Sequence, residues 1–160
     1  EVEQSYRDLP EYTHIRRQRC QDRNAGVDHA EEITKLCWAA ARGEKNYRGL
    51  IVRADAPGHP VIGCTLTQLD HYSKTAYPGQ TAVAQSHCRN AVATHMKQAQ
   101  LLAARDEGMQ RMWVAAPTEA MMKVYEKATA ALGLHCAAHV ATPGSWFPNT
   151  VEVDLLTRDA

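Results

Sequence analysis

The sequence has no uninterrupted apolar run close to the roughly 20 residues that a membrane-spanning helix requires. Its first residues also lack the basic stretch followed by an apolar stretch that marks a secretory signal peptide. These two absences argue against the membrane-spanning and secreted classes of protein. We therefore expect a cytoplasmic protein that has no membrane partner.

Net charge is absent too, because 18 basic residues balance 18 acidic ones in this chain of 160 residues. Proteins that bind nucleic acids or anionic membranes usually carry a surplus of positive charge. The balanced composition therefore does not indicate nucleic acid as a partner. One basic cluster near the start is followed closely by acidic residues, which favours a solvated or salt-bridged face; it contains Arg16, Arg17, Arg19 and Arg23.

No two cysteines have the C-x-x-C spacing of a zinc knuckle, and the five cysteines are scattered along the chain. An odd, dispersed set also argues against a disulfide framework, so we expect reduced and mostly buried thiols. The eight histidines include His135 and His139, which would share one face of a strand. No carboxylate or thiol spacing completes a ligand set with them, so we predict no metal site and keep one as an alternative.

The chain contains no internal repeat, no low-complexity tract and no linker-like change in composition. Hydrophobic residues make up 44% of it and charged residues 22%, as in globular proteins. Its length suits one compact domain with a real core and is short for two. We predict a single domain over residues 1–160.

Apolar periodicity divides this domain into strands and helices. Three helices are predicted from apolar spacing, capping residues and terminal glycines; they cover Asp28 to Gly43, Val92 to Gly108 and Thr118 to Gly133. Strands are predicted where β-branched and apolar residues cluster; they cover Tyr12 to Arg19, Leu50 to Arg53, Val61 to Leu69, Thr81 to Gln85, Arg111 to Ala116, Leu134 to Ala141 and Thr150 to Leu155. Proline and glycine predict a loop over Asp70 to Gly79. This order predicts an α/β (α+β) fold with several antiparallel strand pairs.

A tight polar loop, Ser86 to Ala93, joins the predicted strand Thr81 to Gln85 to the following helix. The strand, loop, helix, strand and helix from Gln80 to Leu134 resemble the acetyl-CoA-binding half of the GCN5-related N-acetyltransferases (GNAT). That family usually carries an Arg/Gln-x-x-Gly-x-Gly/Ala signature in this loop. Here Cys88 stands at the Arg/Gln position, and Ala91 and Ala93 stand at the two glycine positions, so the signature is degenerate.

The order of elements over nearly the whole chain also follows the family, which implies a mixed, mostly antiparallel central sheet flanked by helices. The resemblance implies that the helix opening near Ala91 directs its free N–H groups at the pyrophosphate of acetyl-CoA. It implies that the pantetheine arm of the cofactor pairs with the Thr81 to Gln85 strand. The implied cofactor-binding residues are Ala84, Gln85, Ser86, Cys88, Arg89, Asn90, Ala91, Val92, Ala93 and Thr118. An ordinary strand-to-helix turn without a ligand is the alternative.

A second family pattern, Asn-x-x-Ala-x-x-x-Tyr-x-x-x-Gly-Phe, is matched at its tyrosine by Tyr125, while Thr118 replaces the asparagine. The resemblance implies that Tyr125 is the general acid that protonates the departing coenzyme A thiolate. A core tyrosine with a satisfied hydroxyl is the alternative.

Acyl transfer to an amine also requires a base, because an ammonium group has no lone pair with which to attack a thioester. His87 and Asp70 are the candidates that we carry forward, with His71 and Gln85 nearby. A surface or structural role is the alternative for each of them. A covalent mechanism through Cys88, at a helix N-terminus, is a further alternative that no His/Asp spacing supports.

The resemblance implies an acyl-CoA-dependent N-acyltransferase in which an amine attacks the thioester of acetyl-CoA directly. Its partner would be an amine-bearing acceptor of unknown size, and many members of the family are homodimers. Two alternatives stay open. One is a catalytically silent GNAT-like domain that binds coenzyme A or a protein partner. The other is a GNAT-like DNA base-modifying transferase of the Mom type.

Overall fold

A computed structural model describes residues 42, 46–84, 87, 91–115, 117–144 and 148–158. In chain order, the elements are strands β1 (Tyr47–Arg53), β2 (Val61–Asp70) and β3 (Thr75–Val83), helix α1 (Val92–Asp106), strand β4 (Arg111–Ala115), helix α2 (Glu119–Leu132), and strands β5 (Leu134–His139) and β6 (Thr150–Arg158). Neither of these two helices combines the length and the apolar character needed to cross a lipid bilayer.

The strands form one six-stranded sheet in the order β1-β2-β3-β4-β6-β5. Strand β4 pairs with β3 in parallel, while its other neighbour, β6, is antiparallel to both β4 and β5. This mixed, mostly antiparallel sheet with flanking helices confirms the fold class predicted from the sequence.

The described chain separates into two compact units. The first unit comprises the described residues of Glu1–Leu66 and Gly79–Val92, and the second comprises those of Thr67–Pro78 and Ala93–Ala160. Strands β2 and β3 contribute residues to both units. The single domain over residues 1–160 stays a prediction.

In the first unit, the hydrophobic residues Ile62, Cys64 and Leu66 of β2 are buried. The buried hydroxyl groups of Thr65 and Thr81 lie 2.8 Å apart and form a hydrogen bond between β2 and β3. Such a pair satisfies two polar groups that would each be costly to bury alone. The Cys64 side chain is in its reduced, thiol form.

The second unit contains a hydrophobic core between the sheet and one face of each helix. Every second residue of β4 and β6 points into it, as the period of a half-buried strand requires. Its members are Leu69, Ala76, Leu101, Ala104, Met109, Met112, Val114, Met122, Tyr125, Ala128, Leu134, Val151, Val153 and Leu155.

Apolar periodicity, capping residues and terminal glycines predicted most of the described elements correctly. Five predicted strands are confirmed, with small shifts at their ends. They are the strands predicted to begin at Leu50, Val61, Arg111, Leu134 and Thr150. Both predicted helices in the described part of the chain are also confirmed. The predicted strand from Tyr12 to Arg19, the arginine cluster and the predicted helix from Asp28 to Gly43 lie outside the described residues, apart from Arg42.

The loop predicted over Asp70 to Gly79 is wrong over most of its length. Only residues 71–74 form a turn, and β3 already begins at Thr75. Pro78 and Gly79 therefore lie inside a strand. The parallel register of β3 with β4 ends at Ala76, so Pro78 removes no hydrogen bond from that register.

The buried face of α1 also differs from the predicted one. The sequence predicts an apolar face that includes Ala99 and Ala103, yet both are exposed. Alanine is tolerated on either side of a helix, so its spacing is a weak guide to the buried face. The buried residues of this helix are Met96, Lys97, Gln100, Leu101 and Ala104.

Helix α2 ends at a glycine in the left-handed conformation, which a residue with a Cβ adopts only at a cost in stability. Gly133 has φ 65° and ψ 31°, and its N–H is donated to the carbonyl groups of Thr129 and Ala130. Gly133→Ala is expected to lower the free energy of unfolding by about 1 kcal/mol, because a Cβ is disfavoured in the left-handed region. Chemical denaturation measures this change.

Gly79→Ala is the matched control for that substitution. A Cβ at Gly79 would make only ordinary contact with the Leu66 carbonyl oxygen, at 3.6 Å, and its φ is not in the left-handed region. This variant is expected to be neutral or slightly stabilising. Equal losses of unfolding free energy in Gly133→Ala and Gly79→Ala would show that the left-handed conformation of Gly133 is not the cause of the destabilisation.

Candidate functional site

The first part of the candidate site is the turn that follows β3. The buried Ala84 donates its backbone N–H to the Ile62 carbonyl at 2.8 Å, and the His87 N–H is donated to the Ala84 carbonyl, also at 2.8 Å. The half-buried His87 therefore belongs to a tight turn directly after the strand. The other predicted loop residues, Gln85, Ser86, Cys88, Arg89 and Asn90, lie outside the described residues.

Ala91 stands at the first glycine position of the family signature and has φ 57°. This left-handed conformation is the one that glycine adopts without cost and alanine does not. Helix α1 starts at the next residue, with the half-buried Val92 and Ala93, and has no acidic residue in its first turn. The free N–H groups and the positive end of this helix dipole therefore meet no fixed negative charge from that turn.

Ala91→Gly is expected to stabilise the protein by about 0.5–1 kcal/mol. The left-handed region costs a residue with a Cβ roughly 1–2 kcal/mol, whereas the extra freedom of glycine in the unfolded chain costs about 0.4–1 kcal/mol. The first effect is the larger. Denaturant midpoints of the two proteins measure the difference.

The control is the same substitution at Ala99, which is exposed within α1. There glycine relieves no strain and weakens the helix, so Ala99→Gly is expected to cost about 1 kcal/mol. A loss of stability in Ala91→Gly as well would contradict the left-handed conformation at Ala91.

The second part of the candidate site surrounds Tyr125 on α2, within the second unit. The exposed fraction of Tyr125 is 0%, and its hydroxyl has no hydrogen-bond partner among the described residues. Burial raises the pKa of the Tyr125 phenol far above its usual range, and the nearby Cys136 thiol raises it further. Burial likewise raises the pKa of the Cys136 thiol, although a hydrogen bond with Thr129 acts in the opposite direction. The phenol is therefore held firmly in its protonated form.

A buried polar chain runs beside this tyrosine. The Lys97 Nζ donates to Gln100 Oε1 at 2.8 Å, and Gln100 Nε2 donates to Thr67 Oγ1 at 2.5 Å. The Lys97 Nζ also lies over the Tyr125 ring, 5.3 Å from its centroid. Lys97 and Gln100 were not predicted as site residues from the sequence. Their signal is two polar residues, three positions apart, on the same helix face as Met96 and Leu101.

Thr118 caps α2, as the sequence predicts. Its hydroxyl accepts the Met121 N–H at 3.2 Å, and its backbone is extended, which is typical of an N-cap. This bond accounts for a polar side chain at position 118 without any ligand. A contact of Thr118 with a cofactor stays a prediction.

The end of α2 bears on which residue occupies the tyrosine position of the family pattern. The pattern places its glycine four residues after the tyrosine, whereas the capping Gly133 follows Tyr125 by eight. Aligned on Gly133, the tyrosine position falls on the buried Thr129, whose hydroxyl donates to the Tyr125 carbonyl at 2.7 Å. Thr129 is therefore the alternative to Tyr125 at this position.

Asp70 closes the turn between β2 and β3. Its carboxylate accepts the Tyr72 N–H at 3.0 Å, the Ser73 N–H at 3.3 Å and the Ser73 hydroxyl at 2.7 Å. The hydrogen bonds from Ser73 hold the pKa of this carboxyl below its usual value. A carboxylate stabilised in this way is a weak base, and the three bonds describe a turn residue.

One edge of β4 has an incomplete set of partners. Towards β3, the described register pairs only Arg111 and Met112, whereas residues 113–115 pair with β6 alone. Trp113, which is partly exposed, meets the Tyr77 ring edge-on with 6.3 Å between centroids.

Arg111 donates to Thr75 Oγ1 at 2.8 Å and lies 3.8 Å from a Glu152 carboxylate oxygen, an exposed pair of little energetic weight. Within the described ranges, no group of three or more His, Cys, Asp or Glu side chains has the arrangement of a metal site.

Neither a protein-family model nor a curated protein sequence matches this chain. Solved structures do match. An acetyltransferase of the GNAT family from Staphylococcus aureus superposes with a TM-score of 0.61 at 9% identity, covering 94% of each chain. A mutant of the spermidine N-acetyltransferase from Vibrio cholerae has a TM-score of 0.55 at 13% identity, covering 79% of this chain and 75% of its own.

A phosphinothricin acetyltransferase of the GNAT superfamily from Sinorhizobium meliloti, in complex with AcCoA, has a TM-score of 0.52 at 11% identity. The match covers 77% of this chain and 67% of that one. At such low identities the likeness is one of backbone architecture. This chain therefore has the fold of the GCN5-related N-acetyltransferases.

Proposed function

We propose that this protein is an acyl-CoA-dependent N-acyltransferase that takes its acyl group from acetyl-CoA. The observation that carries the proposal is Ala91, which holds a glycine-like backbone conformation at the first residue before α1. This conformation is the one that glycine usually provides where a backbone passes close to an anion at a helix N-terminus. Structural neighbours that are acetyltransferases, one of them with AcCoA bound, support the same reading.

The residues of the second unit fit the chemistry of thiolate departure. The Tyr125 hydroxyl is buried without a partner among the described residues, a costly arrangement unless a ligand atom completes it. A sulfur atom of bound coenzyme A would supply an acceptor. Tyr125 would then give its proton to that sulfur as the carbon–sulfur bond breaks.

A base is also needed for the proton that the acceptor amine loses. Of the two residues predicted for this role, Asp70 is occupied by three donors of its turn. His87 lies in the turn that follows β3, and its imidazole is a side chain that commonly serves as a general base. We therefore assign the base to His87. Acetyl-CoA supplies the activated acyl group, and the acceptor is an amine.

Two measurements test the proposal. Acetyl-CoA at millimolar concentration is expected to raise the thermal midpoint, because a ligand that binds only the folded state stabilises it by mass action. Thiol release with a panel of small amines, peptides and lysine then measures turnover. Binding with turnover supports the enzyme, and binding without turnover supports the silent coenzyme A-binding domain. No thermal shift at millimolar acetyl-CoA overturns the proposal.

A further inference from the structure

Lys97 is a buried amine that the proposed reaction has not used. Its exposed fraction is 1%, and it projects from α1 into the core of the second unit. A lysine is seldom buried this completely, because its ammonium loses hydration. The surroundings offset that loss: the ammonium donates a hydrogen bond to the Gln100 carbonyl oxygen, and the face of the Tyr125 ring carries negative potential.

We propose that Lys97 is a positioning residue that stabilises the negative charge left on Tyr125 when this residue gives its proton to a departing thiolate. The inference rests on the proposed function, and it adds a residue that acts through Tyr125. In the proton transfer, the O–H bond of Tyr125 breaks and its electron pair stays on the phenolate oxygen. The proton passes to sulfur, and Lys97 keeps all of its own protons throughout.

A phenolate in this core needs a nearby cation because no bulk water reaches it. The Lys97 Nζ, 5.3 Å from the ring centroid, is close enough for a substantial interaction with that charge. Gln100 fixes the amine in place, and Thr67, on β2, fixes Gln100 in turn. Two elements of the second unit thus hold the lysine over the ring.

The other ionisable groups near Tyr125 oppose its ionisation. Cys136 faces it from β5 and raises its pKa, and Glu126 on α2 acts on Cys136 in the same direction. Burial also raises the pKa of both Tyr125 and Cys136. Lys97 lies over the Tyr125 ring from α1, and a positive charge in that place favours the ionised phenol.

The test measures ionisation at position 125 without any catalysis. A fluorinated tyrosine incorporated at Tyr125 has a more acidic phenol, so its ionisation falls in a measurable pH range and is followed by ¹⁹F NMR. Lys97→Met is expected to raise the titration midpoint by roughly 1–2 pH units, and Lys97→Arg is expected to leave it near that of the parent protein. An unchanged midpoint in Lys97→Met overturns the inference.

A second measurement uses the unaltered protein. It keeps the inference testable if the Lys97→Met variant does not fold. The ¹³Cε chemical shift of Lys97 is expected to report an ammonium at pH 7, and a neutral amine at that pH overturns the inference. In kinetic assays, Lys97→Met is expected to lower kcat when Tyr125 is present and not further in Tyr125→Phe. The two NMR measurements need no acetyl-CoA, so their failure is distinct from a failure of the proposed function.

Discussion

Tyr125→Phe is expected to stabilise the ligand-free protein by about 1 kcal/mol and to lower turnover by about 10²–10⁴-fold. The stability gain follows from the buried hydroxyl, which has no hydrogen-bond partner among the described residues; an unsatisfied buried group costs roughly 1–3 kcal/mol. The small void left by one oxygen atom offsets part of the gain. The loss of turnover is the usual contribution of a positioned general acid. Denaturant unfolding and thiol release measure the two effects.

Tyr72→Phe is the matched control, because Tyr72 is 100% exposed in the turn between β2 and β3. It is expected to change neither stability nor turnover. If Tyr125→Phe instead destabilises the protein, its hydroxyl has a partner that matters for folding. If turnover is unchanged, Tyr125 is a core residue and the acid lies elsewhere, with Thr129 as the first candidate.

Leu155→Ala is expected to lower the free energy of unfolding by about 2–5 kcal/mol, whereas Leu156→Ala is expected to change it by less than about 0.5 kcal/mol. The two leucines are adjacent on β6, and their exposed fractions are 1% and 64%. Leu155 packs in the core of the second unit, and its N–H is donated to the Gln110 carbonyl at 2.9 Å. Removing its side chain leaves a cavity among residues that cannot close around it.

The pair of variants also tests the register of β6 against β4. Side chains alternate between the two faces of a strand, so a slip of one residue would exchange the positions of Leu155 and Leu156. Equal losses, or a larger loss at Leu156, would contradict the register that pairs Asp154 with Arg111. Circular dichroism of both variants shows whether the comparison is made between folded proteins.

The elements of the second unit were largely predictable because each carries its own local signals. Helix α2 has a threonine cap, apolar residues at helical spacing and a left-handed glycine at its end, and all three act within a few residues. Strands β4 and β6 alternate buried and exposed residues. The beginning of β3 was missed because proline and glycine usually mark loops. Only pairing with distant strands shows that Pro78 and Gly79 lie in a strand.

The candidate site was less predictable, since its informative features depend on contacts far apart in sequence or on backbone angles. Nothing in an alanine signals a left-handed conformation, so the value of φ at Ala91 came from the structure alone. Lys97 resembles an ordinary surface residue in a helical pattern. Its burial depends on a hydrogen bond to Gln100, which is in turn bonded to Thr67. Gln100 and Thr67 are separated by 33 positions in the sequence.

Calorimetric titration with acetyl-CoA is the most direct test of the central claim, that the turn at Ala91 and the start of α1 bind the cofactor. We predict saturable binding at one site per chain, and binding about fivefold tighter in Ala91→Gly, because removing a methyl group near the phosphates is worth about 1 kcal/mol. Ala99→Gly serves again as the control and is predicted to bind as the parent does. The absence of binding in both the parent protein and Ala91→Gly at millimolar acetyl-CoA would contradict the claim.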